Sequence, residues 1–212
     1  MIKTRPGASE TWRRRGIWIL SGSPSFSTKC FSWKEPSGIS GREGDRMNEY
    51  VVEMKGIVKN FGQVQAVKHG EFTLKKGEIH SLIGENGAGK STMMKLLYGM
   101  YPIDEGEIIV KGEPMGTITP KIAIEHGVGM VHQEFMLVNE LTVLENIILG
   151  FEPKKGLTID FDKARKEVKK YIEQYHMDVQ LDKKVSQISV GEAQRVEIIK
   201  TLMRGAVIII LD

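Results

Sequence analysis

A run of nine residues combines three glycines with a lysine and two hydroxyls in a pattern suited to phosphate binding. It reads Gly84-Glu85-Asn86-Gly87-Ala88-Gly89-Lys90-Ser91-Thr92, and its first eight residues fit the P-loop pattern G-x-x-x-x-G-K-[ST]. Glycines let the backbone curl so that successive N–H groups point at a polyphosphate. A helix predicted from Lys90 adds the positive end of its dipole. Lys90 would then reach the β- and γ-phosphates, and the Ser91 hydroxyl would ligate Mg²⁺.

Two further polar residues follow predicted strands. Asp212 ends the β-branched run that begins at Val207, and an acidic residue at the carboxyl end of a buried strand lies in the crevice where open α/β sheets bind ligands. There Asp212 would hold Mg²⁺ through water; the simpler alternative is a surface aspartate in a turn. Gln133 comes just after a strand predicted to end at Val131, where its amide would face the metal and the attacking water.

Two other positions suit a nucleotide, each with a plainer alternative. Ser189 and Gly191 place a hydroxyl and a bare backbone at the start of a predicted helix, which suits a terminal phosphate. Ser189-x-x-Glu192 is also an ordinary capping box. Phe61 precedes Gly84 by 23 residues and would stack on adenine, although an isolated phenylalanine is more often a core residue.

Bulk composition is that of a soluble globular protein. Of the 212 residues, 41% are hydrophobic and 27% are charged, and the single cysteine excludes an internal disulfide. No apolar stretch approaches the ~18 residues of a membrane span. The net charge of +3 comes from residues 1–46, which hold nine basic and four acidic residues against 21 and 23 in the remainder. The main part of the chain is therefore not a basic nucleic-acid binder.

Residues 1–46 differ sharply from the rest. They contain all three tryptophans, the cysteine and eight serines, and no periodic pattern persists there. We expect this leader to lie outside the fold. It would be a targeting peptide, a disordered basic arm or, as we favour, a segment upstream of a true start at Met47, because Arg42-Glu43-Gly44 can be encoded by a purine-rich run like a ribosome-binding site.

From Met47 onward the chain predicts an α/β domain. The predicted strands are 50–58, 79–83, 107–110, 128–131 and 207–211. The predicted helices are 90–98, 161–175 with an amphipathic pattern, and two that begin at capping boxes, one ending near Leu149 and the other near Arg204.

The ordered set of motifs resembles the ATPase of ABC transporters. Residues 84–92, 132–134, 189–194 and Asp212 are similar to its Walker A, Q-loop, signature and Walker B elements, and the likeness covers about residues 50–212. The phrases at 141–147 and 194–200 resemble the simple-sugar and nucleoside importer branch. The resemblance implies a P-loop NTPase core with an N-terminal antiparallel β part in a domain of residues 47–212, and a helical subdomain at about 136–186.

The resemblance also implies a mechanism and partners. ATP and Mg²⁺ would lie between this domain and a second ATPase half or a homodimer partner. Lys90, Ser91, Gln133 and Asp212 would serve one nucleotide, whereas Ser189 and Gly191 would serve the partner's. Nucleotide-driven closure would move the helical subdomain against transmembrane permease subunits, which receive solute from an extracytoplasmic binding protein. The protein would be peripheral, on the cytoplasmic face of a bacterial membrane, without nucleic acid.

Some features depart from the family pattern. Ile188 replaces the usual leucine and Ala193 the commoner glutamine of the signature. The family's catalytic glutamate and γ-phosphate-sensing histidine would follow Asp212. For this chain we therefore expect weak Mg²⁺-ATP binding, almost no hydrolysis, and an open sheet edge at the last strand that favours association. The alternatives are a soluble ABC ATPase without a permease and an inert truncated fragment.

Overall fold

The computed structural model describes the backbone of residues 17–21 and the whole of residues 50–212. It divides into two compact units. One contains the described residues up to Val128 together with Val207–Asp212, and the other is Gly129–Ala206. The strands are β1 (Ile17–Ser21), β2 (Tyr50–Phe61), β3 (Val64–Lys75), β4 (Ile79–Leu82), β5 (Glu105–Val110), β6 (Glu113–Pro114), β7 (Val128–Val131), β8 (Lys154–Lys155), β9 (Thr158–Ile159) and β10 (Ile208–Leu211). The helices are α1 (Lys90–Leu97), α2 (Pro120–Glu125), α3 (Val143–Ile148), α4 (Phe161–Tyr175) and α5 (Val190–Met203).

An antiparallel sheet in the order β3-β2-β5-β6 forms one layer of the first unit. Alternation along β2 buries Val52 and Met54, and Leu74 of β3 and Val110 of β5 join them in the core. The long hairpin of β2 and β3 contains several register shifts, the last of them between Lys59 and Asn60. This sheet confirms the antiparallel part of the predicted fold class.

The parallel sheet of the first unit carries the loop 84–89 and Asp212, and its strands lie in the order β4-β1-β10. Strand β1 pairs in parallel with β4, with Trp18 opposite Ile79, and with β10, with Ile17 opposite Ile208. Three consecutive isoleucines of β10 are fully buried, as expected for a strand covered on both faces. The strands that hold the two halves of the candidate site are thus joined through β1.

Strand β1 corrects two expectations. The leader does not lie wholly outside the fold, because Ile17-Trp18-Ile19-Leu20 is a short apolar run with the composition of a buried parallel strand. The last strand is not an open edge, because β1 pairs along it. The interpretations of residues 1–16 and 22–46 as a targeting peptide, a disordered arm or untranslated sequence fall outside the described residues.

The second unit is mainly helical and contains the predicted segment 136–186. Val143 and Ile147 of α3, Val168 of α4 and Val196 of α5 are fully buried, whereas the lysines of α4 are exposed. This confirms the predicted amphipathic helix. In residues 17–21 and 50–212, no helix is both long and apolar enough to cross a membrane.

Candidate phosphate-binding site

The loop between β4 and α1 has the backbone shape that a phosphate cradle requires. Gly84 is buried, the next four residues are exposed, and Gly89 is the N-cap of α1 with φ of 80°. A Cβ at Gly89 would lie 2.5 Å from the carbonyl oxygen of Ala66, so both the left-handed backbone and the close approach of β3 require glycine. No side chain caps α1, and its first turn holds no acidic residue.

Lys90 places a positive charge over this loop. Its Nζ donates to the carbonyl oxygens of Gly84 and Glu85, each at 2.7 Å. Both bonds are made by a flexible four-carbon side chain to neutral acceptors, and charged phosphate oxygens would be stronger acceptors than these carbonyls. The ammonium is therefore held close to where a polyphosphate would lie.

Ser91 and Asp212 meet although 121 residues separate them. The Ser91 hydroxyl donates to Oδ1 of Asp212 at 2.7 Å, and both residues are half-buried. A hydroxyl and a carboxylate side by side fit Mg²⁺, which prefers oxygen ligands and commonly binds through one or two carboxylates together with substrate phosphates. Within the described part of the chain, no cluster of three or more His, Cys, Asp or Glu residues offers an all-protein metal cage.

Phe61 lies on the hairpin that packs against the loop. It is the last residue of β2, opposite Val64, and Ala66 of the same hairpin approaches Gly89. Its side chain is 42% exposed, so Phe61 is not a core residue. The role of this ring in stacking on a base stays a prediction.

The remaining predicted site residues belong to the second unit. Gln133 is exposed in the segment that follows β7. Ser189 and Gly191 are exposed at the start of α5, where the capping box is complete. The backbone N–H of Glu192 donates to Oγ of Ser189 at 3.3 Å, and the N–H and hydroxyl of Ser189 donate to Oε2 of Glu192 at 3.0 and 2.9 Å. The backbone hydrogen bond from Ser189, with that from its hydroxyl, lowers the pKa of Glu192.

Gly191 differs from the loop glycines. Its φ is not positive, and a Cβ there would approach nothing closer than a guanidinium nitrogen of Arg195 at 3.8 Å. The fold of its own unit therefore does not require a glycine at this position.

Sequence reasoning missed the residues that surround Phe61. Asp104 accepts hydrogen bonds from Lys59 and Asn60, and Tyr101 contacts the ring edge-on. The only local signal was the polar segment Lys59-Asn60 directly before an aromatic residue, because the partners lie 40 or more residues further along the chain.

Comparison with known proteins agrees with this geometry. Residues 67–212 match the family profile described as ABC transporter. Among curated proteins, the chain is 50% identical over 165 residues to the nucleoside import ATP-binding protein NupA of Lactococcus lactis, which covers 78% of this chain and 33% of that protein. It is 51% identical over 164 residues to the guanosine import ATP-binding protein NupO of Bacillus subtilis, covering 77% and 32%. The chain thus spans about a third of the length of these relatives.

Solved structures show the same fold. A nucleotide-free ATP-binding cassette from an ABC transporter superposes with a TM-score of 0.66 at 25% identity, over 77% of this chain and 68% of that one. A cassette in a dimeric post-hydrolysis state bound to ADP and Pi superposes with a TM-score of 0.63 at 27% identity, over 76% and 73%. With the profile covering most of its length and the phosphate loop, Ser91 and Asp212 in one place, this chain belongs to the ABC transporter ATPase family.

Proposed function

We propose that this chain is the Mg²⁺-ATP-binding part of an ATPase subunit that powers import of a nucleoside or a sugar. The observation that carries the proposal is the uncapped N-terminus of α1, with Lys90 above it and the Ser91–Asp212 pair beside it. These supply amide donors, a cation and oxygen ligands, which are the groups that a magnesium-bound triphosphate needs.

Each residue has a distinct task in this proposal. The backbone amides of residues 84–92 hold the phosphates, and Lys90 leaves its two carbonyl partners for the β- and γ-phosphate oxygens. Ser91 and Asp212 would hold Mg²⁺, which neutralises charge that develops on the transferred phosphoryl group. Phe61 stacks on the base, and the exposed Gln133 orients the attacking water.

The start of α5 would act on a nucleotide held by a second ATPase half. The support for this part is Gly191, a glycine that its own unit does not need and that leaves the backbone open to close approach. The exposure of Ser189 and Val190 is consistent with a contact made by another domain.

The importer assignment rests on the relatives. The names of the two curated proteins described above refer to nucleoside and guanosine import, and others at 42–44% identity are ribose and xylose import proteins. We infer permease subunits and an extracytoplasmic binding protein as partners, and a peripheral position on the cytoplasmic face of the membrane.

Isothermal titration calorimetry of the chain with Mg²⁺-ATP tests the proposal. The unmodified chain should bind, and Lys90→Ala should weaken binding at least tenfold because the phosphate charge loses its cation. Lys95→Ala, on the same helix but in its last turn, is the matched control and should bind normally. Equal affinities for all three chains would reject the phosphate site.

Asp212→Asn tests the metal-holding role separately. It should weaken binding of Mg²⁺-ATP more than binding of ATP in EDTA, since a carboxylate is a stronger magnesium ligand than an amide. If Asp212→Asn weakened binding of Mg²⁺-ATP and of ATP in EDTA to the same extent, Asp212 would act on the fold and not on the metal.

A further inference from the structure

Phe61, the residue proposed to stack on the base, lies next to a part of the sheet where strand pairing is irregular. The β2–β3 ladder shifts register between Ile57 and Lys59 and again between Lys59 and Asn60. Pairing of β2 with β5 ends at Val58, opposite Glu105. Asn60 and Phe61 pair in register with Gln65 and Val64 of β3 after these shifts, but neither pairs with a strand on the β5 side. On that side another set of contacts must fix the segment if the Phe61 ring is to serve as a platform.

Asp104 supplies that set of contacts from the loop between α1 and β5. Its backbone N–H donates to the carbonyl of Val58 at 3.0 Å. Its Oδ1 accepts from Nζ of Lys59 at 2.7 Å, and its Oδ2 accepts from the backbone N–H and the side-chain amide of Asn60 at 2.7 and 3.2 Å. One aspartate thus bonds three consecutive residues that end immediately before Phe61.

The bonds that the Asp104 side chain accepts are made by a charged carboxylate. The side chain of Lys59 is only 9% exposed, which shelters its end of the ion pair from solvent. The hydrogen bond from Lys59, followed by that from the Asn60 backbone, lowers the pKa of Asp104, so its carboxylate is charged at neutral pH. Charge-assisted hydrogen bonds are stronger than neutral ones.

The ring itself is held by two neighbours. Tyr101 meets Phe61 edge-on, with ring centroids 5.1 Å apart and planes at 80°. The Lys59 ammonium lies 5.6 Å from the Phe61 centroid. Such edge-to-face and cation–π contacts restrict the ring without covering it, and 42% of Phe61 remains exposed.

We propose that Asp104 is a positioning residue which, with Tyr101, holds Phe61 as a preformed platform for the purine base of the bound nucleotide. The inference rests on the proposed nucleotide-binding function. Tyr101 and Asp104 lie four and seven residues after the end of α1, the helix whose other end holds the phosphate loop. The phosphate site and the base platform are thus connected to opposite ends of one helix.

The test compares a ligand that has a base with one that has none. Calorimetry on the 212-residue chain would give dissociation constants for Mg²⁺-ATP and for Mg²⁺-tripolyphosphate. Stacking on an aromatic side chain strengthens binding of a ligand that has a base and leaves binding of one without a base unaffected. We expect Asp104→Ala to weaken the affinity for Mg²⁺-ATP about fivefold to tenfold and to change the affinity for Mg²⁺-tripolyphosphate less than twofold. Asp104→Asn keeps an acceptor for Asn60 but loses the charge, so its affinity for Mg²⁺-ATP should lie between those of the unmodified chain and Asp104→Ala.

Three controls separate positioning from a general loss of structure. Glu107→Ala removes an exposed carboxylate of β5 that faces Lys55, and it should leave the affinity for both ligands unchanged. Tyr101→Phe keeps the edge contact and should bind like the unmodified chain, whereas Tyr101→Ala should not. Asp104→Ala should have no further effect in a chain that already carries Phe61→Ala, because the carboxylate acts through that ring.

The outcomes are decisive for each proposal. Equal weakening of both ligands by Asp104→Asn, or additive effects of Asp104→Ala and Phe61→Ala, would overturn the positioning role. So would unchanged Mg²⁺-ATP affinity in Asp104→Ala when Lys90→Ala still weakens binding, which leaves the proposed function intact. A chain that binds neither ligand would reject both the function and this inference.

Discussion

The N-termini of α1 and α5 were both predicted to meet a nucleotide, yet they are built in opposite ways. Helix α1 begins at a left-handed glycine with no side-chain cap and no acidic residue in its first turn. Helix α5 begins at Ser189 in extended backbone, with a complete capping box and Glu192 in its first turn. The first end leaves its amide donors to a ligand, whereas the second pairs the N–H groups of Ser189 and Glu192 with its own side chains.

The difference indicates what each end offers to an anion. At a capped helix end, a carboxylate partly neutralises the positive end of the helix dipole and repels a second negative charge. At an uncapped end beside a lysine, the positive charge is not neutralised and remains available to an anion. We therefore expect nucleotide affinity in this chain to come from α1, and any contact of α5 with a partner's nucleotide to depend on the open backbone at Gly191.

The largest effect is expected from Gly89→Ala. The substitution forces a Cβ into left-handed backbone and to within 2.5 Å of the Ala66 carbonyl, so it should lower the free energy of unfolding by about 2–4 kcal/mol and abolish Mg²⁺-ATP binding. Urea denaturation and calorimetry measure the two results. Gly87→Ala has the same backbone strain in open space and should cost only about 1–2 kcal/mol. Equal costs would refute the steric argument.

Ser189→Ala should have a smaller effect, and only on stability. It removes the acceptor for the Glu192 N–H and should lower the unfolding free energy by about 1 kcal/mol. Mg²⁺-ATP affinity of the chain alone should not change. Ser189→Thr, which keeps a capping hydroxyl, is the control. If Ser189→Ala lost nucleotide affinity, the two helix ends would not be as different as their caps suggest.

Gly191→Ala should increase the stability of the chain, whereas Ser189→Ala should decrease it. The position is helical with space for a methyl group, so alanine should raise the unfolding free energy by about 0.5–1 kcal/mol. Gly150→Ala, in the same unit but at φ of 88°, should lower it. Denaturation midpoints of the two variants provide the comparison. A destabilised Gly191→Ala chain would mean that the glycine serves its own unit.

The smallest effect concerns pH. Backbone hydrogen bonds from Thr142 and Ser189 lower the pKa values of Glu145 and Glu192 below their ordinary 4.5. A depressed carboxylate contributes stability that is present above pH 4.5 and lost as the pH falls through the lower folded-state value. The stability difference between the unmodified chain and Glu145→Gln/Glu192→Gln should therefore shrink below pH 4.5. Helix α1 has no such carboxylate. A difference that stayed constant down to pH 3 would contradict the assignment.

Local patterns predicted most of the fold. The two capping boxes span only four residues each, and the amphipathic helix repeats its apolar positions every three or four residues, so neighbouring residues alone encode them. The strand that ends at Leu211 was evident from its run of β-branched residues, and its three isoleucines are buried in the structure. Sequence reasoning missed β1, the long strand β3, helix α2 and the two-residue strands β6, β8 and β9. Strand β1 was missed because a five-residue strand carries no period long enough to stand out within the leader.

The amino-acid sequence by itself determined the phosphate loop, the helix caps and the family, because these depend on residue types at short, fixed spacings. Only the tertiary structure decided that Ser91 meets Asp212, that β1 joins β4 to β10, and that Asp104 holds the segment before Phe61. These contacts join residues 44 to about 190 positions apart. Their formation depends on strand order and on loop closure, which no local pattern specifies.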